Sequence, residues 1–141
     1  MTPMATLALT AALYHVVSHA FFKSLLFVGT GAVLHATSER SLGKLGGLIR
    51  YMPWVAWVCL IGVLASAGLP PLSGFVSEWL LLQGFLFTPE LPSSFLNMLI
   101  PIAAALVALI AALAGYTMVK FFGIIFLGQP REEKQIGRAH V

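Results

Sequence analysis

The chain has 141 residues, of which 59% are hydrophobic and only 9% charged, with a formal net charge of +3. A water-soluble domain carries roughly 25% charged residues, so this composition fits lipid rather than water as the surrounding solvent. A soluble active site is disfavoured, because no nucleophile–base set, phosphate-binding loop or Cys/His metal cluster is visible, and no basic–aromatic stripe suggests nucleic acid.

The first predicted element is a helix from about Met4 to Ala36, rich in Ala, Leu, Phe and Val and free of internal proline. At ~1.5 Å per residue it would reach ~50 Å, longer than a ~30 Å hydrocarbon core, so it must tilt, kink or project. Gly29 and Gly31 are the expected places for a bend or close packing. The leading residues lack a basic segment and a small-residue cleavage site, so no signal peptide is expected. His15, His19 and Lys23 recur at i, i+4 and i+8 and form one stripe, with Ser18 and Thr30 near it. Imidazole changes charge near neutral pH and a desolvated lysine can lose its proton, so such a row can pass a proton through water. The plainer alternative makes the histidines neutral interhelical hydrogen-bonders and Lys23 a snorkelling side chain. Lys23 stands more than a dozen residues before Ala36, too far for easy snorkelling in that direction.

A polar connector, Thr37 to Met52, carries Glu39, Arg40, Lys44 and Arg50, and the run Gly43-Lys44-Leu45-Gly46-Gly47 breaks the helix. Its net basic charge reads as interfacial and weakly favours the cytoplasmic side. The second helix starts at Pro53, a good first-turn residue, and reaches about Ala67. Trp54 and Trp57 fit an interfacial belt, and Cys59 has no cysteine partner for a disulfide.

Gly68-Leu69-Pro70-Pro71-Leu72-Ser73-Gly74 interrupts an apolar stretch. Irregular backbone at membrane depth needs protein or a water-filled cavity around it, because lipid cannot satisfy its N–H and C=O groups. Gly68, Pro70, Pro71 and Gly74 therefore predict a discontinuous helix, although a plain interhelical turn is the alternative for the two prolines. The short third segment, Phe75 to Phe87, follows with Glu78 just past the break. Thr88 to Ser94 is a loop in which Glu90 is a solvated charge. The fourth helix runs from Phe95 to Leu127, with Pro101 near its start and Lys120 near its far end, and Gly128-Gln129-Pro130 stops it.

From Tyr51 to Pro130 the only charges are Glu78, Glu90 and Lys120. A charge at the bilayer centre costs about 2.5–3.5 kcal/mol or more, so Lys23, Glu78 and Lys120 point to moving an ion or a proton through a membrane. The competing readings are a helix-end or interfacial role for Glu78 beside Trp79 and snorkelling for Lys120. At the far end, Ile136-Gly137-Arg138-Ala139-His140-Val141 matches a translated sequencing adapter. Residues 136–141 are thus expected to be a non-native tail on a membrane-domain fragment of residues 1–135, and Arg138 and His140 are not site candidates.

The run Tyr14-His15-Val16-Val17-Ser18-His19-Ala20-Phe21-Phe22-Lys23-Ser24-Leu25-Leu26-Phe27 resembles a helix motif of the antiporter-like membrane subunits shared by respiratory complex I, Mrp-type cation/proton antiporters and energy-conserving membrane hydrogenases. Gly43-Lys44-Leu45-Gly46-Gly47-Leu48, Met52-Pro53 and Leu69-Pro70-Pro71-Leu72-Ser73-Gly74-Phe75-Val76-Ser77-Glu78-Trp79 extend the resemblance, which covers residues 4 to about 134. The membrane-hydrogenase branch is the most similar. The resemblance implies an all-α, polytopic transmembrane bundle of about four helices, one of them discontinuous, forming the last part of the second of two inverted five-helix repeats. It implies that Lys23 matches a central channel lysine and Glu78 the ionisable residue of the discontinuous helix, where some relatives carry lysine. The first repeat, with its own Lys/Glu pair, is absent here.

The expected function is that of a proton-translocating, non-catalytic subunit in the cell inner membrane, without a cofactor or metal of its own. Its partners would be other membrane subunits, hydrophilic redox subunits reached through them, and the lipid bilayer. His15, His19, Lys23, Glu78 and Lys120 are the candidate proton carriers. The rivals are a cation/proton antiporter subunit, which uses the same motifs, and a structural membrane scaffold, in which charges at 23 and 78 are dispensable.

Overall fold

The computed structural model describes residues 3–87 and 92–129, the side chains of Pro3 and Met4 excepted. Glu90 and the tail 136–141 lie outside the described residues. Four α-helices are present among the described residues: α1 (Pro3–Thr37), α2 (Pro53–Ser66), α3 (Ser73–Leu86) and α4 (Ser94–Phe122), the last continuing into a π-helical turn, Gly123–Leu127. No strand occurs among the described residues.

Each boundary has a local cause. Pro53 occupies the first turn of α2, where its missing N–H is no loss. At the other end of α2, Gly68 adopts φ 67°. Its N–H reaches Ala65 O (3.3 Å) and the Leu69 N–H reaches Leu64 O (3.2 Å), the paired 5→2 and 6→1 bonds of a Schellman cap. Residues 67–72 then run irregularly through Pro70 and Pro71, which are joined by a cis peptide bond, before α3 opens at Ser73. The connector between α1 and α2 folds into two 3₁₀ turns, Leu42–Lys44 and Leu48–Arg50. It is pinned by the Glu39 carboxylate, which accepts from the Ser41 and Arg40 N–H groups (2.9 and 3.0 Å) and pairs with Lys44 Nζ (3.5 Å). The Ser41 hydrogen bond, reinforced by Lys44, holds this carboxyl below the usual carboxylate range.

The contacts fix the arrangement. α1 packs on both α2 and α3, whereas α2 and α3 touch each other little. Pairing runs in one sense: Gly29 of α1 faces Cys59, Leu26 faces Gly62, and His15 faces Ser77. α2, the break and α3 therefore form one discontinuous span antiparallel to α1. α4 runs back alongside, with Ile110 and Ala111 near His15, Met118 near Lys23 and Ile125 near Val33 and Leu34. The four helices thus make three traverses.

Where α1 and α2 cross, small residues let the backbones approach. A side chain at Gly29 would overlap Cys59 Sγ, and one at Gly62 would press on Leu26. Gly31 has open space around it and α1 does not break there, so of the two glycines only Gly29 serves close packing. The buried core gathers Leu26, Val33, Leu48, Cys59, Val63, Phe122, Ile125 and Phe126, from the second half of α1, the connector, α2 and the end of α4. Elsewhere the surface is apolar, with Phe21, Phe27 and Trp54 more than 70% exposed. Among the described residues two helices, Ala5–Thr37 and Ser94–Leu127, are long and apolar enough to cross a membrane. An apolar surface of this extent needs lipid or further protein against it.

Candidate functional site

The break between α2 and α3 sets the position of Glu78. Gly74 is buried so closely against the Ala65 carbonyl that no side chain fits between them, which locks the first turn of α3 onto the last turn of α2. One turn further, Ser77 is almost fully buried and Glu78 follows it. The Glu78 carboxylate folds back over the Cα of Gly68, where any side chain would collide with it. Glycine at 68 is thus required twice, for its positive φ and for this contact.

Across from the break stands α1. His15 Nδ1 lies 2.9 Å from Ser77 Oγ, and Ser77 Oγ donates to the Gly74 carbonyl at 2.8 Å. His15, Ser77 and Glu78 are the polar side chains lining a cavity of about 370 Å³, whose remaining wall is apolar, including Val16, Leu81 and Ile110. Such a volume holds several waters, for which His15 and Glu78 supply partners, Ser77 being engaged by Gly74 and His15. His15 and Glu78 lie within electrostatic reach of one another. One turn along α1, the His19 ring sits 5.8 Å from the His15 ring, centroid to centroid, and stands edge-on to Phe22 at 5.0 Å.

The expected stripe does not share a single environment. Successive i+4 steps drift by about 40° around a 3.6-residue helix, so Lys23 is turned well away from His15. Lys23 lies in a groove of about 220 Å³ between α1 and α4, facing Thr117, Met118 and Phe121. On this chain His19 and Lys23 are exposed, whereas His15 is half-buried. Lys120 is exposed too, with its ammonium 5.8 Å from the Tyr116 ring centroid, and it lines neither space. Ser18 is buried near His15, and Thr30 donates to the Leu26 and Phe27 carbonyls of its own helix. Sequence reasoning misses Ser77; its place one residue before Glu78 and three after Gly74, on the α3 face toward α1, is the signal that marks it. Among the described residues no group of three or more His, Cys, Asp or Glu side chains is placed to hold a metal ion.

Residues 1–91 match the family described as "NADH:quinone oxidoreductase/Mrp antiporter, TM". The chain belongs to this family. Over 128 residues, 91% of the chain, it is 40% identical to "Hydrogenase-4 component B" of Escherichia coli (strain K12), and equally so to "Formate hydrogenlyase subunit 3" of the same organism. It is 38% identical over 136 residues to "Na(+)/H(+) antiporter subunit A1" of Staphylococcus saprophyticus, covering 94% of the chain. The chain spans 19%, 21% and 16% of the lengths of these three relatives. It is therefore a stretch of a multi-pass, antiporter-like membrane subunit of the hydrogenase, complex I or Mrp kind, whose relatives are subunits of larger membrane complexes. The break at 67–72 and the polar side chains of the cavity, His15, Ser77 and Glu78, lie within the part that matches this family.

Proposed function

We propose that the intact protein is a proton-translocating membrane subunit of an energy-conserving hydrogenase or complex-I-like assembly in the cell inner membrane. Redox chemistry in partner subunits would drive proton transfer through this one. The observation that carries the reading is the meeting of His15 and Glu78 in one cavity beside the backbone break between α2 and α3. Irregular backbone within an apolar span needs protein or water around it, and a space that can hold water between two ionisable groups is what proton transfer needs. His19 continues the row from His15, and Lys23 stands in the next groove along α1. Lys120 would join from α4 only through water or through parts of the protein beyond this chain.

The similarity to a Na(+)/H(+) antiporter subunit supports a second reading, in which the same groups serve cation/proton exchange without electron transfer. The two separate in one preparation. The full-length subunit, in its native complex and reconstituted into vesicles, is assayed for acidification driven by electron donor and for sodium-driven proton movement in its absence. The hydrogenase reading expects the first alone. In that preparation Glu78→Gln, which keeps shape and hydrogen bonding but removes the charge, should assemble and lose most coupled proton transfer. A normal number of protons moved per electron would make Glu78 structural.

A further inference from the structure

The cavity holds one polar side chain that does not itself titrate in the working range, Ser77, and its geometry decides which atom of His15 does. We propose that Ser77 is a positioning residue that holds His15 in the Nδ1–H form and leaves Nε2 as the nitrogen through which the relayed proton enters and leaves. This rests on the reading of the cavity as a proton path.

Hydrogen-bond direction fixes the tautomer. The Gly74 carbonyl oxygen has no hydrogen and can only accept, and Ser77 Oγ lies 2.8 Å from it. Two oxygens at that distance without a hydrogen between them repel, so the single hydroxyl hydrogen of Ser77 belongs to this bond. Ser77 is 1% exposed, which leaves no bulk water to accept that hydrogen instead. Its oxygen still lies 2.9 Å from His15 Nδ1 and has only lone pairs to offer there. Nδ1 must then bring the proton. The bond of one ring nitrogen sets the role of the other, so Nε2 is unprotonated in neutral His15. In the imidazolium form both nitrogens are donors, and the Nδ1–H···Oγ bond survives unchanged. Nε2 can therefore gain and lose a proton with no rearrangement at Ser77.

The groups around His15 agree with this assignment. From α3 the titratable neighbour is Glu78; from α1 it is His19, with Lys23 a further turn away; α4 offers only Val107, Ile110 and Ala111. Each titratable partner must be served through Nε2, because Nδ1 is occupied. Without Ser77 the ring is free to rotate and to exchange tautomers, and the path acquires a second, unproductive protonation site.

The test uses the full-length subunit in its native complex. Histidine is labelled with ¹³C and ¹⁵N, and the His15 signals are assigned by comparison with His15→Gln in solid-state NMR. Wild type and Ser77→Thr should show the Nδ1–H pattern for neutral His15, whereas Ser77→Ala should shift to the Nε2–H form that free imidazole favours. Coupled proton transfer should fall about tenfold in Ser77→Ala, the order of magnitude that one lost hydrogen bond accounts for, and recover in Ser77→Thr. Should Ser77→Ala fail to assemble, Ser77→Cys, with its weak S–H, should show a mixture of the two forms. A retained Nδ1–H pattern in whichever of these two variants assembles overturns the positioning role. Failure of the underlying reading looks different: Glu78→Gln and His15→Gln would both transfer protons normally, whatever tautomer the spectra show.

Discussion

At Gly68 the backbone is left-handed and the Glu78 carboxylate covers the Cα. Alanine there incurs about 1–2 kcal/mol of backbone strain and must also push the carboxylate aside. Gly68→Ala is therefore expected to lower the thermal midpoint of the purified complex modestly and its proton transfer markedly, because Glu78 loses its resting place. A variant as active as wild type would show that this contact is incidental. Gly84 is the control, since a side chain there meets nothing within 4 Å. Gly84→Ala, inside α3, should be neutral or stabilise by about 0.5–1 kcal/mol.

Helices and their breaks hold these residues in register. Gly74 abuts a backbone carbonyl of α2, which cannot swing away as a side chain can. Gly74→Val should separate α2 from α3, and the expected readout is loss of assembled complex, seen as protease cleavage between residues 66 and 73. Intact assembly with protection of that segment would contradict the fixed contact between the halves. The connector responds to pH. Glu39 has a folded-state pKa below its unfolded value, so its contribution is present above the unfolded carboxylate range and is lost as pH falls through the folded pKa. The protection of the Ser41 amide, its exchange rate relative to the intrinsic rate at each pH, should fall on such acidification, and Glu39→Gln should remove that fall.

Most of the helical frame is legible in the sequence. Pro53, the Gly68–Gly74 punctuation and Gly128 act locally, and they end helices wherever the chain is placed. Expected and observed ends agree to within two residues, apart from the last turn of α4, which opens into a π-helical turn at Gly123 that no single residue type announces. The candidate site is only half legible. His15 and Glu78 stand out as ionisable groups in apolar surroundings, but that they face each other depends on α3 lying antiparallel to α1, a tertiary fact. Ser77 looks like any small helical residue until that packing buries it. The stripe of His15, His19 and Lys23 is real as spacing and misleading as environment, because the drift of the helix carries Lys23 to the α4 side.

At the scale of the whole molecule, three traverses leave an outer surface still apolar and, among the described residues, three of the candidate carriers, His19, Lys23 and Lys120, outside the cavity lining. The chain spans about a fifth of the hydrogenase-4 and formate hydrogenlyase relatives, and its apolar faces need lipid or further protein against them. If Lys23 and Glu78 serve one path, their effects on proton transfer will not add. Lys23→Met should assemble with reduced transfer, and the double variant should transfer no less than Glu78→Gln alone. Independent, multiplying losses would assign the two residues to separate paths.

Proton translocation through this cavity requires Glu78 to change its protonation during the working cycle. Infrared difference spectroscopy on the reconstituted full-length complex, switched between its resting and electron-driven states, reads this directly. The expected result is a protonated-carboxyl C=O band that appears or disappears on switching, shifts in D₂O and is missing in Glu78→Gln. A difference spectrum that keeps every carboxyl band in Glu78→Gln would show that Glu78 holds one charge state throughout, and would contradict the proposed role.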